Sequence, residues 1–242
     1  MKHSYYLFAV FLLACWQPAR AQMARDQAEA QSIYQQANDA TLGRTLRASV
    51  KQATGLLGDG TFQFGTLRTY DGHCRPVPGL RYHAGLQLLE TQDSVEIDST
   101  HLWPAGSLRG FDLGEAGDAE MPLRRFRSRV VKEGSTGTRR EFVEVLTAID
   151  AGPMLLGWLY SVAPVPTPNG RRPLVATLLA GPGTNGSEPL RPLEPTQAGV
   201  LRLFGARTDE VRTFATTQHL DYTRPADIAR MMDYYNRIAV VK

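Results

Sequence analysis

Apolar and polar residues alternate every second position through the middle of the chain, and follow a helical period only towards its ends. Phe62, Phe64 and Leu67 alternate with polar residues over 61–70, and Tyr82, Leu86, Leu88 and Leu89 continue the pattern over 80–90. Ser94-Val95-Glu96-Ile97-Asp98 is a plain two-residue alternation. A period of two sends successive side chains to opposite faces, so each segment predicts a strand with one buried face. Residues 123–131, 141–149, 154–162 and 174–179 repeat the signal, separated by the Gly, Pro, Asn and Asp clusters that mark turns. Gly152-Pro153 between two apolar runs predicts a hairpin of two antiparallel core strands over 141–162, with Trp158 and Tyr160 on one face of the second. About eight strands without amphipathic helices between them predict a mainly β (α+β) fold, an antiparallel sandwich or partly open barrel.

The flanks read differently. From Ala24 to about Leu57 the chain is rich in Ala, Gln, Arg and Leu and lacks proline, which favours one helix with a thin apolar stripe of Ile33, Ala37, Ala40, Leu46 and Val50. Gly55, Gly58 and Gly60 end it. Residues 195–204 predict a short helix, and Thr223-Arg224-Pro225 opens a better one whose stripe is Ile228, Met231, Met232, Tyr235 and Ile238. That stripe predicts a helix packed on the sheet. The organisation expected is a leader over 1–21, an N-terminal helical segment over 22–60, and a single β-rich domain with C-terminal helices over 61–242. The Pro/Gly-rich stretches 163–173 and 181–195 are expected to be surface connections.

The leader changes how composition is read. Lys2 precedes an uncharged run from Tyr5 to Trp16, and Pro18-Ala19-Arg20-Ala21 supplies a break and the small residues of a cleavage site after Ala21. Leu12-Leu13-Ala14-Cys15 is a competing lipoprotein box, in which Cys15 would carry the lipid. The apolar run is too short for a spanning helix, which needs roughly 20 residues, so no transmembrane span is expected in the mature chain. Lys2 and Arg20 are the only Lys, Arg, Asp or Glu of the leader, so its removal takes the formal charge from +3 to +1. No nucleic-acid partner is expected. Cys74 is then the one cysteine of the mature chain, which excludes an internal disulfide.

Candidate chemistry is sparse. Arg124-Arg125-Phe126-Arg127-Ser128-Arg129 places Arg125, Arg127 and Arg129 on one strand face, a ladder able to hold anionic polysaccharide, lipid head groups or nucleic acid. The plainer alternative is a solvated face paired with Glu141 and Glu144 of the next strand. Asp71-Gly72-His73-Cys74 combines an acid, an imidazole and a thiol, but Asp-Gly reads first as a turn. Asp112, Glu115, Asp118 and Glu120 lie in Gly-rich sequence that could wrap calcium, yet they lack the ligand order of a known loop, and a polar loop is preferred. Glu96 and Asp98 share a strand face, as a glycosidase pair would. His83 and His101 stand alone, with no metal-ligand spacing, so neither metal nor cofactor is assigned. Asn185-Gly186-Ser187 is a sequon.

The segment from Trp103-Pro104-Ala105-Gly106 to Phe111-Asp112-Leu113-Gly114, then Arg125-Phe126-Arg127, Glu141-Phe142-Val143-Glu144-Val145-Leu146 and Gly152-Pro153-Met154, resembles uncharacterised exported proteins of Bacteroidetes-type bacteria. Those also end in a helix carrying Tyr-Asn, here Tyr235-Asn236. The resemblance covers about half the chain, 103–238, and implies a secreted setting without an assigned activity or catalytic residues. The function expected is a non-enzymatic envelope or secreted component that binds envelope polysaccharide or another envelope protein. The alternatives are a hydrolase with an unrecognised active site and a small outer-membrane barrel, the latter disfavoured by the long loops and the amphipathic C-terminal helix.

Overall fold

The computed structural model describes residues 24–92, 100–133, 137–167, 172–184 and 186–240. The leader with Cys15 and Ala21, the strand expected over 94–98 with Glu96 and Asp98, and Asn185 of the sequon lie outside the described residues.

Alternating segments pair into a single ten-stranded antiparallel sheet that does not close. The strands are β1 (Gln63–Arg68), β2 (Cys74–His83), β3 (Leu88–Gln92), β4 (Thr100–Pro104), β5 (Gly110–Leu113), β6 (Arg124–Glu133), β7 (Gly137–Val145), β8 (Leu155–Val162), β9 (Leu174–Gly181) and β10 (Arg191–Pro192). Their order is β10-β9-β8-β7-β6-β5-β1-β2-β3-β4, two meanders joined where β5 pairs with β1. The mainly β expectation therefore holds, with one sheet of ten strands in place of about eight. Residues 80–90, expected as one strand, split into the ends of β2 and β3 because Gln87 takes a positive φ of 53° and turns the chain.

Gln87 also explains how the sheet curls. Its side chain donates to the carbonyls of Ala84 and Tyr160 at 3.1 and 3.0 Å, and accepts from the Phe142 amide at 2.8 Å and the Tyr82 hydroxyl at 2.9 Å. One amide thus ties the β2–β3 turn to β7 and β8. Beneath it the first core gathers Leu67, Leu80, Tyr82, Leu89, Phe111, Phe126 and Phe142, with Phe111 and Phe126 stacked 4.7 Å apart. The opposite face of the second meander holds Val131, Val143, Val145, Leu155, Leu159, Leu179 and Leu190. A bridge between Val131 and Leu190 brings the chain before β10 back beside β6, so this half also curls around its own core. Strands β6 and β7 are therefore covered on both faces. That is why residues 141–145 are all buried rather than alternating. The 181–195 stretch, expected at the surface, instead sends Leu190 into this core and Leu193 into the one beneath the C-terminal helices.

The N-terminal helix is two helices, α1 (24–38) and α2 (Leu42–Gln52). Asp39 breaks it, its carboxylate accepting from the amides of Thr41 and Leu42 at 2.8 and 2.6 Å, which holds its carboxyl below the ordinary aspartate range. Asn38 covers the edge of β4, pairing its amide with both the N–H and the C=O of Leu102 at 3.0 and 2.8 Å. At the other end α3 (Gln197–Leu201), capped by Thr196, runs through a 3-10 turn into α4 (Thr208–Thr217), which the sequence pattern missed, and α5 (Pro225–Val240) begins at Pro225 as expected. Ile228, Met231 and Met232 pack on Met154, Leu156, Leu178 and Ala180 of the sheet. No described helix is long and apolar enough to cross a membrane.

Candidate functional site

Strand parity puts Arg125, Arg127 and Arg129 on one face of β6, and the register of β5 against β6 sets Asp112 opposite Arg125 on that same face. Asp112 is buried and takes two arginines: Arg127 Nη1 at 2.6 Å, and Arg68 of β1 through Nη2 at 2.6 Å and Nε at 2.8 Å. The second acid is Asp150, from the loop between β7 and β8. Its carboxylate accepts from Arg125 Nη1 at 2.9 Å and Arg127 Nε at 2.5 Å. Main-chain carbonyls of the same loop complete the set, with Arg125 donating to Thr147 and Ala148 and Arg129 donating from Nη2 to Asp150.

That loop is held from the other side by α5. Asn236, buried at 2 % exposure, accepts from the Met154 amide at 2.7 Å and donates to the Met154 carbonyl at 2.8 Å. Asp233 accepts from the Ala148 amide at 2.8 Å, and burial keeps its carboxyl above the ordinary aspartate value. Gly152 sits against the Asn236 amide, where a Cβ would lie 2.8 Å from Nδ2. The Tyr235-Asn236 and Gly152-Pro153-Met154 segments are thus physically one feature, a clamp that delivers Asp150 to the arginines.

The charges do not balance. Arg68, Arg125, Arg127 and Arg129 share two carboxylates, Asp112 and Asp150. Arg129 is the member left over: half-buried, it makes no ion pair among the described residues, and its Nε is buried without a hydrogen-bond partner. Burial lowers its pKa, with Arg127, Arg109 and Arg140 adding like charge and Asp150 opposing them. The guanidinium still remains charged. The pairing expected with Glu141 and Glu144 is not what forms. Glu144 stands opposite Phe126, on the other face of β6, and binds Arg124 at 2.7 Å; Glu141, opposite Arg129, is bonded to Arg139 at 2.5 Å.

The remaining candidates resolve into structural roles. Tyr160 donates to Glu144 at 2.6 Å beside Arg124, and burial with that neighbouring carboxylate holds its phenol well above the ordinary range. His83, buried at 2 %, meets Glu90 through Nε2 at 3.0 Å, while Arg81 grips the same carboxylate at 2.7 Å. This resembles the base half of a nucleophilic site, but Leu56 bridges to His83 and the pair is sealed in the protein. The 71–74 segment is the β1–β2 turn: Gly72 has φ 87°, Asp71 accepts from the His73 amide at 3.1 Å, and Cys74 is exposed beside Arg68. Asp118 caps its own loop through the amides of Glu120 and Met121, while Asp112 is committed to arginines, so the four acids of that stretch do not converge. His101 accepts or donates a bond with Tyr34 at 3.0 Å. Among the described residues no three His, Cys, Asp or Glu side chains group as metal ligands would.

No family model, no curated protein and no solved structure matches this chain.

Proposed function

We propose that the protein is an exported, non-enzymatic binding component of the cell envelope, and that the face carrying Arg125, Arg127 and Arg129 receives an anionic polysaccharide. The observation that carries this reading is the imbalance of four guanidinium groups on two carboxylates at one face of β1, β5 and β6. Guanidinium groups fixed by a scaffold lose little entropy on binding carboxylates or sulfates, and their planar forks match those anions. Arg127 is committed to Asp112 and Asp150, so the ligand meets the outer members, Arg125 with Arg68 on one side and Arg129 on the other.

The test is retention of the mature protein on immobilised polygalacturonate against a neutral glucan. Selective retention released by raised salt supports the reading, because exposed ion pairs are screened over about 8 Å at physiological ionic strength. Equal behaviour on both supports, or capture of an envelope protein with no polysaccharide, removes it.

A further inference from the structure

Arg129 is the place to ask what kind of anion fits. Nη2 is spent on the Asp150 carbonyl and Nε is enclosed without a partner. That leaves Nη1, which makes no hydrogen bond among the described residues and lies against Gly186, where a Cβ would stand 2.7 Å away. The site lies near two loops that touch: the Gly183 amide donates to the Gly152 carbonyl at 3.1 Å, joining residues 182–184 to the 147–153 loop. Below it the face continues into Val131 and the second core. A cation so placed has lost part of its hydration and makes no ion pair among the described residues: Asp112 and Asp150 are committed to other arginines, and Glu141, opposite it, is bonded to Arg139.

We infer that Arg129 is the seat of a single oxyanion, a carboxylate or a sulfate or phosphate ester, which meets Nη1 beside Gly186. The inference rests on the reading of the arginine face as an anion site and narrows it from a ladder for a polymer to one charged group. Low local dielectric strengthens the contact relative to a surface pair. Absence of a side chain at residue 186, with its φ of 62°, keeps the Nη1 edge approachable.

The experiment is calorimetric titration of the mature protein with glucuronate, sulfate and inorganic phosphate at constant ionic strength, with chloride as control. Wild type takes one equivalent of at least one of the three. Arg129→Gln weakens this about tenfold or more, the worth of a charge-assisted hydrogen bond. Arg129→Lys, which keeps the charge without the fork, and Gly186→Ala, which crowds Nη1, each weaken it in a chain whose thermal melt shows it folded. Arg212→Gln, on α4 and outside the arginine row, leaves it within about threefold, since exposed pairs contribute little. Which of the three probes binds distinguishes a uronate from an ester source. No saturable binding of any probe by folded wild type overturns the inference, as does binding indifferent to Arg129→Gln, even if polygalacturonate is retained. Small-anion binding lost in Arg129→Gln supports it, even if no polysaccharide is retained.

Discussion

Replacing Asp112 by asparagine removes one charge from the arginine network and almost no volume. Asp112 and Arg127 are each 7 % exposed at the side chain and 2.6 Å apart, so Arg127 loses a partner in a nearly buried site. Breaking a buried pair from one side costs about 3 to 5 kcal/mol. Two features reduce that figure: Arg127 keeps Asp150 at 2.5 Å, and Arg68, the other partner of Asp112, is 40 % exposed and can turn to solvent. The expected loss is about 2 to 3 kcal/mol, which in a chain of this size lowers the melting temperature by about 5 to 10 °C. Arg127→Met provides the complementary test, because it leaves Asp112 with Arg68 and Asp150 with Arg125. In a double-mutant cycle monitored by urea denaturation, the two substitutions should couple by about 1 kcal/mol or more. An Asp112→Asn protein that melts within about 1 °C of wild type, or a coupling near zero, would refute a buried network at this face.

Asn236→Leu should cost about 2 to 4 kcal/mol, since the amide and carbonyl of Met154 both lose their partner in a buried setting, and amide exchange at Met154 should accelerate. Gln87→Ala strips the Phe142 amide and the Tyr160 carbonyl of their bonds and leaves a non-glycine at φ 53°; a loss of about 3 kcal/mol is expected, and Gln87→Gly should lose less. Glu90 is held below the ordinary glutamate value of 4.5: burial pushes it up, but the bonds from His83 and Arg81 outweigh that together. Its stabilising contribution is therefore complete above pH 4.5 and is lost as pH falls through the lower folded value. Glu90→Gln should then be less stable than wild type at pH 7, and the difference should shrink in denaturation curves taken at progressively more acid pH.

The sequence pattern carried much of the second meander and little of what closes the first. Strands β6 to β9, the hairpin through Gly152-Pro153 and the start of α5 at Pro225 follow from short apolar runs and punctuation, both local properties. So does the shared face of Arg125, Arg127 and Arg129. The partners of those arginines were not legible. Asp112 lies on a four-residue strand buried on both faces, where alternation vanishes, and Asp150 arrives on a loop whose path is set by Asn236, 82 positions on from Met154. Adjacency in sequence suggests pairing with Glu141 and Glu144, but register sends Glu144 to the opposite face. Position 87 shows the same limit in the backbone: a glutamine carries no turn signal, and its positive φ is supported by tertiary hydrogen bonds that only the fold creates.

The most direct measurement of the central claim is equilibrium binding of the mature chain to a uronate-bearing oligosaccharide, set against a neutral oligosaccharide of equal length. The account predicts one salt-sensitive site for the charged ligand, with affinity reduced about tenfold or more by Arg129→Gln and no comparable binding of the neutral one. Equal binding of both, or an affinity unchanged by Arg129→Gln in a folded protein, would contradict it.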